Sequence, residues 1–396
     1  MIYIKKKIAF VNQRYGKEVS GGSEKYTRDL AELLTPHYDV EVLTTCALDY
    51  VTWENSYTAG VSTIDGVKVR RFNVTTKRDQ TNFNKTYAKL VQNTTNDDNR
   101  AKLESKWVDE QGPYCPDLVN YIKNNAAQYD VFIFVTYLYY HTVRAMKLVK
   151  NKAILIPTAH DEPPIYFNIY KEIFALPKAI GFLTEEERDF VHSHFANQQI
   201  PNDTIGHYTK YPAETFPSHF KEKYGLNNFI LYVGRIEQSK GCNELCDFFI
   251  KHKKRYPSNL KLVFIGQTVS DIPNHEDIVK LGFVSEEDKF NGISAAKVLV
   301  LPSQYESLSI VTLEALAIGT PVLLNGKSAI LRGHCVKSNA GLYYENFHEF
   351  SAALNYLLTK DDKYELMKEN GKKYVNKNYS AEVFVERFAR LVKNVV

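Results

Sequence analysis

Two doubly wound α/β domains are predicted, and three observations predict them. Short apolar runs alternate with helix-periodic stretches along most of the chain. That alternation stops around residues 200–217, where Pro201, Gly206, Pro212 and Pro217 cluster, and then begins again. The 396 residues are enough for two domains that each bury a core. The expected division is 1–207 and 208–380, with the amphipathic tail 381–396 packing back on the first domain.

The elements follow in order. Residues 8–12 form a short buried strand. A glycine-containing loop then ends in Ser20-Gly21-Gly22-Ser23. Residues 24–34 carry helical periodicity, with Tyr26, Leu30, Leu33 and Leu34 on one face. Strands are expected at 40–44 and, after the turn at Asp65-Gly66, at 67–72. Residues 75–112 are polar and weakly patterned, so a partly helical, surface-lying insertion is expected. Such a segment serves as a lid or binding loop, or is simply tolerated. Strand signals return at 131–135, 153–157 and 179–183, and Thr184 with Glu187 reads as a capping box opening a helix. The second series runs through strands at 229–233, 261–265, 298–301 and 321–324, with a helix at about 242–254. The tail places Val383, Phe384, Phe388, Leu391 and Val392 on one face.

Composition narrows the function. The formal net charge is +4, with 44% hydrophobic and 24% charged residues, which argues against nucleic acid as a partner. The five cysteines are irregularly spaced; Cys242 and Cys246 form an i, i+4 pair, but no further pair completes a zinc pattern. No run approaches the roughly 20 apolar residues of a membrane span, and the first residues lack a signal-peptide core. A cytoplasmic setting is expected, with membrane contact at most peripheral, at the inner face. Neither half carries Gly-x-Gly-x-x-Gly after a strand, which disfavours a dinucleotide oxidoreductase.

In an open parallel sheet, ligands bind beyond the carboxyl ends of the strands. The loop after residue 233 reads Gly234-Arg235-Ile-Glu-Gln-Ser-Lys240-Gly241. Its glycines permit close approach of backbone, and its two cations can neutralise a diphosphate. After residue 301 comes a loop with Glu306, Ser307, Leu308 and Ser309, followed by Glu314 inside an apolar helix. The N–H groups at that helix start favour an anion. Glu314 needs a partner, either a buried cation or the hydroxyls of a sugar.

The spacing of Glu306 and Glu314 resembles the E-x7-E signature of retaining glycosyltransferases of family GT4. Those enzymes have the GT-B fold, two Rossmann-like domains facing each other across a cleft. The segment around Gly234, Arg235 and Lys240 is similar to that family's donor loop, and Gly21-Gly22 matches in position. His160-Asp161 resembles a His-Asp pair facing the donor sugar, and Ser338-Asn-Ala-Gly341-Leu-Tyr resembles an Asn-Gly-Leu element. The chain departs from the family pattern at Leu308-Ser309, where Phe-Gly is common, and at Asn325-Gly326-Lys327, where paired glycines are common. A phosphate-binding backbone tolerates Ser309 unless that residue needs positive φ.

The resemblance implies a nucleotide-diphosphate sugar as donor and a saccharide or lipid-linked acceptor, in bacterial surface polysaccharide assembly. It implies Glu306 on the donor sugar, Glu314 on the ribose hydroxyls, and His160 with Asp161 near the anomeric centre. Arg235 and Lys240 would meet the diphosphate, with Gly21, Gly22, Gly234 and Ser307 to Ser309 lining the donor. No Asp-x-Asp is present, so neither a divalent metal nor any other cofactor is expected. An epimerase or phosphorylase of the same plan, or a non-catalytic sugar-nucleotide binder, remains an alternative that turnover on nucleotide sugars separates.

Overall fold

A computed structural model describes residues 5–19, 21–92 and 97–396. Ser20 and Met1 to Ile4 lie outside the described residues. The chain divides into two compact units, residues 1–208 with 381–396, and residues 209–380.

The first unit holds strands β1 (Lys7–Val11), β2 (Asp39–Thr45), β3 (Gly60–Ile64), β4 (Val67–Phe72), β5 (Val131–Val135), β6 (Ala153–Ile156), β7 (Ala179–Phe182) and β8 (Asn202–Thr204). Its helices are α1 (Gly22–Leu34), α2 (Gln80–Val91), α3 (Asp97–Gln111), α4 (Pro116–Asn125), α5 (Tyr140–Ala145), α6 (Ile169–Ala175) and α7 (Glu185–Phe195). The sheet order is β3-β4-β2-β1-β5-β6-β7-β8, parallel except for the β3–β4 hairpin. The central strands are buried on both faces, which is why β1 and β5 read as unbroken apolar runs.

The insertion at 75–112 is helical in part and largely exposed, as expected, but one face of it is buried. It forms α2 and α3, and Leu90, Trp107 and Val108 are buried in the main core of the unit. Trp107 stacks with Phe83 and Tyr87 and meets Phe167 edge-on. Glu104, buried on α3, accepts from the Asn168 and Ile169 N–H groups at the start of α6. An apolar stripe broken by polar neighbours hid this packing from the sequence.

The second unit holds α8 (Pro217–Tyr224), β9 (Phe229–Val233), α9 (Cys242–Arg255), β10 (Lys261–Ile265), β11 (Ile278–Lys280), α10 (Glu286–Ala295), β12 (Leu299–Leu301), α11 (Ile310–Ile318), β13 (Val322–Asn325), α12 (Ala329–Ser338), β14 (Gly341–Tyr344), α13 (Phe347–Thr359) and α14 (Asp361–Asn378). Its sheet is wholly parallel, in the order β11-β10-β9-β12-β13-β14. Numbered within the unit, that is 3-2-1-4-5-6, the doubly wound order whose switch point falls between β9 and β12.

The final helix, α15 (Ala381–Lys393), belongs to the first unit. Phe388 stacks on Phe10 and meets Tyr38 edge-on, and Arg390 pairs with Asp203 at 2.9 Å.

Candidate functional site

At the switch point of the second unit, the loops after β9 and β12 lie side by side. Gly241, at φ 76, closes the first loop, and a Cβ there would stand 2.7 Å from the Pro302 carbonyl oxygen. Only glycine lets the two loops approach this closely. Asn325, buried at the end of β13, donates to the same Pro302 oxygen at 2.8 Å and accepts from the Lys327 N–H. Three carboxyl-edge loops therefore converge on one peptide carbonyl.

This packing presents charged side chains together. Lys240 Nζ lies 2.8 Å from Glu306 Oε1, and both side chains are only partly buried. Arg235, exposed on the same loop as Lys240, lies 3.3 Å from Glu237. The buried Tyr232 donates its hydroxyl hydrogen bond to the Arg235 carbonyl at 2.6 Å, which fixes the loop's path just after Gly234.

Glu314 lies inside α11 and is buried, as the apolar neighbours require. Its partner is Lys289 on α10, at 3.0 Å, and Lys289 also reaches Glu286 at 2.9 Å. Burial pulls the Lys289 ammonium down. The two carboxylates outweigh it and leave the group above the ordinary lysine value. Nothing in the spacing singled out Lys289 as this partner.

Ser309 caps α11 at φ 65, in the left-handed region. Serine at this position therefore does hold positive φ, the condition that disfavours it. Its hydroxyl shares a 2.7 Å hydrogen bond with Thr312 Oγ1, a local bond that helps a non-glycine residue hold that conformation. Leu308 is buried and Ser307 half-exposed.

The first unit holds the remaining candidates. Gly21 caps α1 at φ 147, and a Cβ there would meet Glu24 Oε2 at 2.2 Å. Glu24 is tied to Arg14 Nε at 2.9 Å, both groups being buried. Gly22 begins the helix with open space around its Cα. His160 follows β6, but the carboxylate beside its ring is Glu162, whose Oε2 lies 3.3 Å from Nε2, whereas Asp161 accepts from the Tyr166 hydroxyl at 2.6 Å. Glu162 is itself held by the Tyr137 hydroxyl at 2.8 Å.

The backbone leading to His160 is strained at Thr158, at φ 51, whose hydroxyl lies 3.2 Å from that of Thr136, itself at φ 75 after β5. Glu187 braces it. Its N–H donates to Thr184 Oγ1 as a capping box predicts, and its carboxylate reaches back to the start of the helix and beyond it. It accepts from Ala159 N and Leu183 N, each at 2.6 Å. Complete burial pushes this carboxyl up, to about 8, against the pull of those two N–H groups.

Residues 216–374 match the family model described as Glycosyl transferases group 1. That match spans most of the second unit. Among curated relatives, a capsular polysaccharide biosynthesis glycosyltransferase of Staphylococcus aureus is 28% identical over 183 residues, 42% of this chain and 47% of that protein. The chain spans about half the length of the curated relatives it matches. Among solved structures, sucrose-phosphate synthase from Thermosynechococcus elongatus superposes with a TM-score of 0.73 at 16% identity, covering 99% of both chains. An Anabaena protein solved in complex with UDP and glucose gives 0.67 at 13% identity, covering 98% of this chain and 99% of that one. The chain thus has the GT-B fold of two α/β domains with parallel sheets. Arg235, Lys240, Glu306 and Glu314 all lie within the matched residues, whereas Gly21, Gly22, His160 and Asp161 lie outside them. Among the described residues, no helix is long and apolar enough to cross a membrane.

Proposed function

We propose that this chain is a retaining glycosyltransferase of family GT4, moving a sugar from a nucleoside-diphosphate sugar to a saccharide or lipid-linked acceptor. The observation that carries the reading is the Lys240–Glu306 pair at the switch point of the second unit, within the matched residues. Cation and carboxylate stand side by side on adjoining loops, one suited to a diphosphate and the other to sugar hydroxyls. Arg235 and Lys240 stabilise the negative charge that develops on the leaving diphosphate, and the N–H groups at the start of α11 add to them. These cations take the place of a divalent ion. The donor sugar contacts Glu306, and the ribose contacts Glu314 on the carboxylate edge away from Lys289.

The first unit supplies the acceptor site, and His160, held beside Glu162, acts in transfer rather than in nucleotide binding. The acceptor attacks from the face the nucleotide leaves, and the departing phosphate takes its proton, so the anomeric configuration is kept. The Staphylococcus aureus relative's name supports surface polysaccharide assembly as the setting. Thermal unfolding with UDP, GDP and dTDP tests the donor assignment: one of them should raise the unfolding temperature of the wild type. No shift with any of the three would refute it.

A further inference from the structure

We infer that His334 is a positioning residue for the donor phosphates. It holds the Leu308–Ser309 peptide in the orientation that turns the Ser309 N–H toward them. The inference rests on the donor reading of the second unit given above.

His334 lies on α12 and is buried. Its Nε2 stands 2.7 Å from the Leu308 carbonyl oxygen. A carbonyl only accepts, so Nε2 carries the proton. On the other side of the ring, Nδ1 lies 3.0 Å from the Tyr374 hydroxyl, which in turn lies 3.2 Å from the Tyr379 hydroxyl. In the neutral ring Nδ1 accepts from Tyr374, and Tyr374 accepts from Tyr379. The two tyrosines thereby select the tautomer that can serve Leu308.

In a trans peptide the C=O and N–H point to opposite sides. With the Leu308 oxygen drawn onto His334, the Ser309 N–H is aimed away from it. That N–H makes no hydrogen bond among the described residues. It is therefore available, beside the first N–H groups of α11, to an anion.

This orientation also puts Ser309 at φ 65. Flipping the peptide changes ψ of Leu308 and φ of Ser309 together. It would return Ser309 to negative φ and carry its N–H to the wrong side. The left-handed region is unfavourable for any residue with a Cβ, so a serine here needs an anchor that a glycine would not. The His334 bond is that anchor, with the Ser309–Thr312 hydroxyl pair assisting.

The test compares affinity for whichever of UDP, GDP and dTDP binds the wild type best with affinity for its phosphate-free nucleoside, both by calorimetry. His334→Phe keeps the ring volume and loses the donor. Nucleoside diphosphate affinity should fall about tenfold, the scale of the left-handed penalty, with nucleoside affinity unchanged. His334→Gln, whose amide nitrogen reaches the same oxygen, should retain most of the affinity. Ser309→Gly placed in the His334→Phe background should restore it, because glycine keeps the orientation without help. If His334→Phe does not fold, the shorter His334→Asn against His334→Gln decides. Unchanged diphosphate affinity, equal losses for nucleoside and diphosphate, or failure of Ser309→Gly to rescue would each overturn the inference. If none of the three nucleotides binds the wild type, the donor reading beneath it falls first, and this inference with it.

Discussion

Replacing Glu187 by Gln should change how the stability of the first unit depends on pH. The wild-type carboxyl moves from an ordinary value of 4.5 to about 8 on folding, because burial disfavours its charge more than the Ala159 and Leu183 N–H groups favour it. For a group whose folded pKa is raised, the stabilising contribution is fully present below the unfolded pKa and is lost as pH rises through the folded one. Glu187 therefore removes stability between about pH 4.5 and pH 8, on the order of 5 kcal/mol at roughly 1.4 kcal/mol per unit. Glutamine does not titrate. It offers one acceptor oxygen where two N–H groups need one each, so it costs about 1–3 kcal/mol at every pH. The wild type should thus be the more stable protein at pH 5, and the difference should shrink or reverse by pH 9. Both tryptophans, Trp53 and Trp107, are buried in the first unit, so urea unfolding followed by tryptophan fluorescence reports on that unit. Groups other than Glu187 titrate alike in both proteins and cancel in the difference. A difference that stays constant from pH 5 to pH 9 would refute the reasoning.

Two further predictions concern the second unit. Arg235→Ala and Lys240→Ala should each lower turnover by about 100-fold or more in steady-state assays, since each cation meets charge that develops in the transition state; near-wild-type turnover in both would remove them from the site. Glu314→Gln should weaken nucleotide binding and destabilise the second unit by about 2 kcal/mol, less than a fully orphaned buried cation costs, because Lys289 keeps Glu286. Calorimetry reads both effects, and lost stability with unchanged affinity would leave Glu314 a purely structural ion-pair partner.

The strand-and-helix alternation was legible because buried parallel strands are unbroken apolar runs, as in β1, β5 and β9. The short or exposed strands β3, β8 and β11 were not, since their residues lie at sheet edges and carry no such run. Likewise Arg235, Lys240, Glu306 and Glu314 were visible from their places after strands. Their partners were not. Lys289 on Glu314, Asn325 on Pro302 and His334 on Leu308 are contacts across sequence separations of 23 to 26 residues, which no local pattern encodes. Glu187 shows an intermediate case: its spacing from Thr184 announced the helix cap that forms, but not the further bond its carboxylate accepts from Ala159.

The central claim is transfer with retention and without a metal. Its most direct test incubates the full chain with UDP-, GDP- and dTDP-linked sugars and saccharide acceptors in excess EDTA, and reads the product by proton NMR. The account predicts release of nucleoside diphosphate matched by a new glycosidic bond of the donor's anomeric configuration. An epimerised donor, a sugar 1-phosphate, an inverted linkage, or activity that appears only when magnesium is restored would contradict it.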